Sequence, residues 1–151
     1  MKLINAPEKL EIQGSSIFRA GSIEMGNAIN WQEYVVGELS KFDVTILNPR
    51  RPDWDSTWEQ SINNEKFREQ VEWELKALEK SDLIIMYFDP ATKSPITLLE
   101  LGLFARSEKL VVCCPGGFWR KGNVDIVCKK YEVPQLESLE KIIEKVKELL
   151  I

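Results

Sequence analysis

Apolar and polar positions alternate along this chain in blocks, and the blocks change period. Short runs in which nearly every residue is apolar fall at 16–20, 44–47, 83–88 and 109–114. Each is bounded by Gly, Pro, Asn or Asp, as strands buried on both faces are. Between them the apolar positions recur every three to four residues. Trp31, Tyr34, Val35 and Leu39 mark one helix over about 30–41, and Phe67, Val71, Leu75 and Leu78 a longer one over 64–80. Leu139, Ile142, Ile143, Val146 and Leu149 form the stripe of a closing helix over 136–149. Two weaker signals remain: residues 8–13 alternate like a short extra strand before the core, and 125–128 could form a fifth strand.

Strands alternating with helices, themselves continuously apolar, predict an α/β fold: one domain over 1–151, with a flavodoxin-like doubly wound sheet of four or five mainly parallel strands and helices on both faces. In the strand order 2-1-3-4-5 the switch point lies between the first and third core strands. The turn after the first strand, 21–26, then faces the segment 94–100, so two loops distant in sequence wall one pocket.

The segment 81–106, SDLIIMYFDPATKSPITLLELGLFAR, holds the most informative residue. An apolar strand leads into the turn 89–94, and a helix starts at Pro95, where a first helical turn accepts proline. Within that helix Glu100 is an acid among Ile96, Leu98, Leu99, Leu101 and Leu103. Burying a charge without a partner is costly, so an acid there needs a reason. The alternative is a solvated surface glutamate, which the apolar neighbours disfavour. The spacing places Glu100 near the start of a helix, facing a ligand crevice, and the helix N-terminus is expected to favour its ionised form.

Composition narrows the chemistry. The chain has 151 residues, enough for a core without staples, with 44% apolar and 29% charged residues. A net charge of −4 without a basic run argues against nucleic acid as partner. No apolar run reaches membrane-spanning length, and 1–8 is too short in apolar residues for a signal peptide, so the expected location is the cytoplasm. There is no histidine, which removes Ser-His and Cys-His pairs and the usual general base. Cys113, Cys114 and Cys128 lack metal-ligand spacing and read as reduced small hydrophobes. No metal and no cofactor is expected, so catalysis must come from carboxylates, Lys, Tyr, Cys or backbone dipoles.

Three further places carry candidate chemistry. The turn 21–26, Gly-Ser-Ile-Glu-Met-Gly, has glycines that let backbone amides approach a ligand, but lacks the P-loop Lys and places Glu24 where it disfavours phosphate. Arg50 and Arg51 follow the second strand and suit phosphate, carboxylate or a stacked base, unless they pair with Asp53, Asp55 or Glu59. Trp54, Trp58 and Trp119 could stack on a base or serve core and interface.

The combination of 17–23 (Ile-Phe-Arg-Ala-Gly-Ser-Ile), Trp73-Glu74-Leu75 through Ser81-Asp82, and Ser94 through Thr97-Leu98-Leu99-Glu100-Leu101-Gly102 resembles the nucleoside 2-deoxyribosyltransferase superfamily over about 16–130. Asn48-Pro49-Arg50-Arg51 and 67–74 are similar to one of its divergent branches. The resemblance implies that Glu100, in the Glu-Leu-Gly motif, is the nucleophile. It implies that Glu74, eight residues before Asp82, contacts the substrate. Gly21, Ser22, Ile23, Asp89, Ser94, Thr97 and Arg50 are the further substrate-binding candidates. Family members also assemble so that a neighbouring copy completes the pocket, a part that falls to Asn123 or Asp125, and five Trp fit self-association.

Departures bear on the substrate. The transferases carry Asp six residues before the nucleophile, where this chain has Ser94. The related 2'-deoxynucleoside 5'-phosphate N-hydrolases have Ser there but Arg in the first turn, where this chain has Glu24. A Tyr that steadies the nucleophile matches Phe18. Gly116-Gly117 lacks the Thr and Glu of the Pro-Gly-Gly-x-Gly-Thr phosphoribohydrolases. The implied function is cleavage or transfer at the N-glycosidic bond of a nucleoside or nucleotide, with an uncharged nucleoside favoured by Glu24. The alternatives are a 5'-phosphate N-hydrolase or a non-catalytic nucleotide-binding module. The chemistry agrees: an oxocarbenium-like transition state needs a carboxylate, with a second acid, Glu74 or Asp89, for the leaving base, and no histidine.

Overall fold

The computed structural model describes residues 1–22 and 30–151. Its strands are β1 (Lys2–Asn5), β2 (Ser15–Gly21), β3 (Val44–Asn48), β4 (Leu83–Tyr87), β5 (Leu110–Cys113) and β6 (Gln135–Leu136). Its helices are α1 (Trp31–Leu39), α2 (Glu65–Lys80), α3 (Pro95–Phe104), α4 (Lys121–Lys130) and α5 (Leu139–Leu150). The strands form one parallel sheet in the order β1-β3-β2-β4-β5-β6. The core strands β2, β3, β4, β5 and β6 thus follow the expected 2-1-3-4-5 order, and β1 adds an outer edge.

Strand residues alternate between two apolar layers because successive side chains leave a strand on opposite faces. Phe18, Ala20, Leu47, Ile84 and Met86 pack with Trp73, Ala77 and Leu78 of α2, Leu101 of α3 and Val124 and Cys128 of α4. Ile17, Ile46, Leu83, Ile85 and Val111 pack on the other face with Trp31, Val35 and Leu39 of α1 and Ile142, Ile143 and Val146 of α5. Side chains cap three of the helices, with Asn30, Asn64 and Ser138 accepting from N–H groups in the first turns. The three cysteines are free and buried, and burial pushes their thiols up to about 11 or 12. They act as small hydrophobes, because a buried thiol resists ionisation.

Among the described residues the sheet has six strands, β1 adding an edge to the five of the expected order. Two expectations need correction. Residues 8–13 are not a strand. Their alternation is real, since Leu10 and Ile12 pack against the core, but β1 occupies the place beside β3. Gln13 is tied down by the Thr45 hydroxyl, which accepts from its N–H and donates to its carbonyl. Residues 125–128 belong to α4: the buried pair Val124 and Cys128 has helical spacing, and Ile126, which made the segment look strand-like, is exposed. The strand at the edge opposite β1 is the short β6, at the start of the region assigned to the last helix.

Candidate active site

The ends of β2 and β4 lie side by side at the switch point, with Gly21 opposite Tyr87. Gly21 has φ +149°, and a Cβ there would stand 2.5 Å from the Tyr87 carbonyl oxygen and 2.8 Å from the Trp31 ring. Only glycine lets the two strands and α1 approach this closely. The next residue, Ser22, is buried and joins the two loops. Its N–H donates to the Tyr87 carbonyl at 3.0 Å, and its carbonyl accepts from Trp31 Nε1 at 3.0 Å. Its hydroxyl accepts from the Asp89 N–H at 2.8 Å and shares hydrogen bonds with Thr92 at 2.8 Å and Ser94 at 2.7 Å. Thr92 and Ser94 are themselves 2.8 Å apart. Ser22, directly after β2, therefore meets Ser94 as the strand order required.

Ser94 begins α3 in the left-handed conformation, φ 46° and ψ 54°. A non-glycine residue held there stores about 1–2 kcal/mol of strain, and such residues cluster at functional sites. Its hydroxyl does not cap α3, being engaged with Ser22 and Thr92. Pro95 follows at the first helical position.

Glu100 lies on the buried side of α3 with Thr97 and Leu101. It is 8% exposed, which excludes the solvated-surface alternative. Burial, helped by the charge of Glu74, pushes its carboxyl up to about 8. This reverses the expectation that the helix N-terminus keeps Glu100 ionised. Glu100 is in the second turn, and the favourable field of a helix start falls off within the first. Glu74, half-buried on α2, is raised too by desolvation, opposed by a hydrogen bond from Gln70. Gln70 Nε2 donates to Glu74 Oε1 at 2.8 Å and to the Pro49 carbonyl at 2.6 Å, tying the acid to the end of β3. Two acids that resist ionisation, one raised further by the charge of the other, form the pattern expected of a functional pair.

The remaining candidates divide. Asp89 and Thr97 are buried in this region, and Asp89 Oδ1 accepts from the Ala91 N–H at 2.8 Å. Ile23 and Glu24 lie outside the described residues. Arg50 is exposed and lines a cleft with Arg19, on the α1 face of the sheet. Arg51 is buried, with Nε donating to Asp53 at 2.7 Å, Nη1 2.7 Å from Glu69, and its guanidinium over Trp58. The salt-bridge alternative holds for Arg51, and Trp54 and Trp58 pack edge-on in the same cluster. Asn123 is exposed on α4, and Asp125 pairs with Lys121 at 3.0 Å. Phe18 is buried in the layer that packs against α3. Sequence reasoning missed Thr92 and Gln70. Gln70 precedes Glu74 by one helical turn and so shares its face, a signal that was present.

With this geometry in place, comparison with known proteins is informative. Residues 14–118 match the family described as nucleoside 2-deoxyribosyltransferase like. The chain belongs to that family. The matched region contains Gly21, Ser22, Glu74, Asp89, Ser94, Thr97 and Glu100, and stops before Asn123. A crystal structure of a conserved protein from Enterococcus faecalis V583 shares the fold, with a TM-score of 0.63 at 15% identity over 90% of this chain and 99% of that one. No curated protein matches the chain. Among the described residues no helix is long and apolar enough to cross a membrane, and no group of three or more His, Cys, Asp or Glu could hold a metal.

Proposed function

We propose that this family member cleaves the N-glycosidic bond of a (deoxy)nucleoside, with Glu100 as nucleophile and Glu74 as the acid that serves the leaving base. The observation that carries the reading is Glu100, 8% exposed on the helix that starts beside the ends of β2 and β4 and raised to about 8, with a second raised carboxyl, Glu74, acting on it. The reaction needs one proton on the pair, held by Glu74, with Glu100 ionised. In the reactive form Glu100 is ionised and attacks C1' as the C1'–N bond breaks. The bond electrons leave with the base, which takes the proton from Glu74. The resulting ester is resolved by water in hydrolysis or by a second base in transfer, and Glu74 takes back a proton from the attacking group. Ser22, Thr92 and Ser94 hold the loop before Glu100 in place, and Gly21, Asp89 and Thr97 line the approach.

Self-association belongs to the same reading. Helix α3 carries an exposed apolar stripe: Ile96, Leu99 and Leu103 are each more than half exposed while Thr97, Glu100 and Leu101 face inward. Such a stripe usually marks an interface, and a second copy covering it is the occupant that fits, on the nucleophile's own helix. Asn123 or Asp125 of such a copy is the candidate to complete the pocket.

The test is product chromatography on purified protein with nucleosides and nucleoside monophosphates, each with and without a free base. Release or exchange of base by wild type, lost in Glu100→Ala, supports the reading. Saturable binding of the same compounds with no base released would point instead to a nucleotide-binding module.

A further inference from the structure

On the sheet face opposite Glu100 lies a second cleft, of about 430 Å³, lined by Arg19, Arg50, Asn48, Gln32, Glu33 and Leu3 among others. Its volume is in the range of small-molecule sites. Its place follows from alternation. Phe18 and Ala20 of β2 point to the layer that holds α3, so Arg19 between them points to the α1 side. Helices α1 and α5 cover the middle of that face, and Leu3 of the edge strand β1 stays 39% exposed beside the cleft.

Arg19 is the unusual residue. It is 4% exposed, yet no carboxylate among the described residues pairs with it. Nη1 donates to the Gln32 carbonyl at 2.8 Å, and Nε has no hydrogen-bond partner. Desolvation alone pulls its guanidinium down to about 10. A buried cation without a carboxylate partner is costly, whereas Arg51, just beyond the neighbouring strand β3, is paired with both Asp53 and Glu69. Arg50 brings a second guanidinium to the same cleft, against the single carboxylate of Glu33.

We propose that this cleft binds a small molecule through a phosphate or carboxylate group, with Arg19 as the buried anchor and Arg50 as the outer clamp. The planar guanidinium donates two parallel N–H bonds to either group. The anion supplies the missing counter-charge to Arg19 and takes its free Nε–H. The site is separate from the glycosidic centre and does not depend on that assignment.

The experiment is calorimetric titration of the whole chain with inorganic phosphate and, separately, malonate, at constant ionic strength. Wild type is expected to bind at least one of them saturably, with a Kd of about 1 mM or below. Phosphate alone assigns the site to phosphate esters, and malonate alone to carboxylates. Arg19→Met keeps the buried volume and should weaken binding by about tenfold or more, Arg50→Ala should weaken it severalfold, and Glu100→Gln should leave it unchanged. Absence of saturable binding of both anions, or equal binding in Arg19→Met and Arg50→Ala, overturns the proposal. Arg50 is exposed, so its variant keeps the test decisive if Arg19→Met fails to fold.

Discussion

Removing the charge of Glu74 should lower the proton affinity of Glu100 by an amount the structure bounds. The carboxyl of Glu100 rises from 4.5 to about 8, with burial the larger cause and Glu74 the smaller. Glu74→Gln keeps the shape and an acceptor for Gln70 but deletes the charge. Less than half of the rise should therefore disappear, about one unit, or about 1.4 kcal/mol of interaction between the two acids. Burial is untouched, so Glu100 should still titrate well above an ordinary carboxyl. The assay is a ¹³C NMR titration of the glutamate carboxyls in the free protein, with the Glu100 signal identified by its loss in Glu100→Gln. A midpoint that falls by about one unit and stays above about 6 is the expected result. An unchanged midpoint would refute the pairing with Glu74, and a fall to the ordinary carboxyl range would refute burial as the main cause.

Glu100→Gln should stabilise the protein at and above neutral pH by up to about 5 kcal/mol. The folded state binds the Glu100 proton more tightly than the unfolded one, so this carboxyl costs stability as pH rises from about 4.5 to about 8; calorimetric melting at pH 5 and pH 8.5 should show the gain only at the higher value. Ser94→Gly should melt higher than Ser94→Ala by about 1 kcal/mol, because both lose the hydroxyl bonds to Ser22 and Thr92 while only glycine relieves the left-handed backbone. Light scattering of wild type should give a mass above that of one 17.4 kDa chain, and Leu99→Glu with Leu103→Glu on the outer stripe of α3 should reduce it toward one chain.

The core of the fold was legible because parallel strands are apolar on both faces and α1 and α5 carry a clear stripe; on α2 the expected stripe was misplaced, since Val71 and Leu75 are exposed and Gln70, Trp73, Ala77 and Leu78 are buried. Glu100 was legible for the related reason that an acid inside an apolar helix stands out. The two strand misreadings share a cause: alternation over four to six residues is ambiguous. Leu10 and Ile12 face inward from a segment with no sheet partner, and Val124, Ile126 and Cys128 alternate while only the pair four apart is buried. The protonation of Glu100 was misjudged because its burial depends on tertiary packing, which local position in a helix does not encode. Arg19 could be read only as a β2 residue. That it is buried without an acid is a property of the assembled sheet.

The most direct test of the central assignment is mass spectrometry of the protein quenched during turnover of a 2'-deoxy-2'-fluoro nucleoside, whose fluorine slows release of the sugar. The account requires a covalent adduct of one sugar, mapped to the peptide containing Glu100 and absent in Glu100→Ala. Release of free base with no adduct on that peptide, or an adduct on another residue, would contradict Glu100 as the nucleophile.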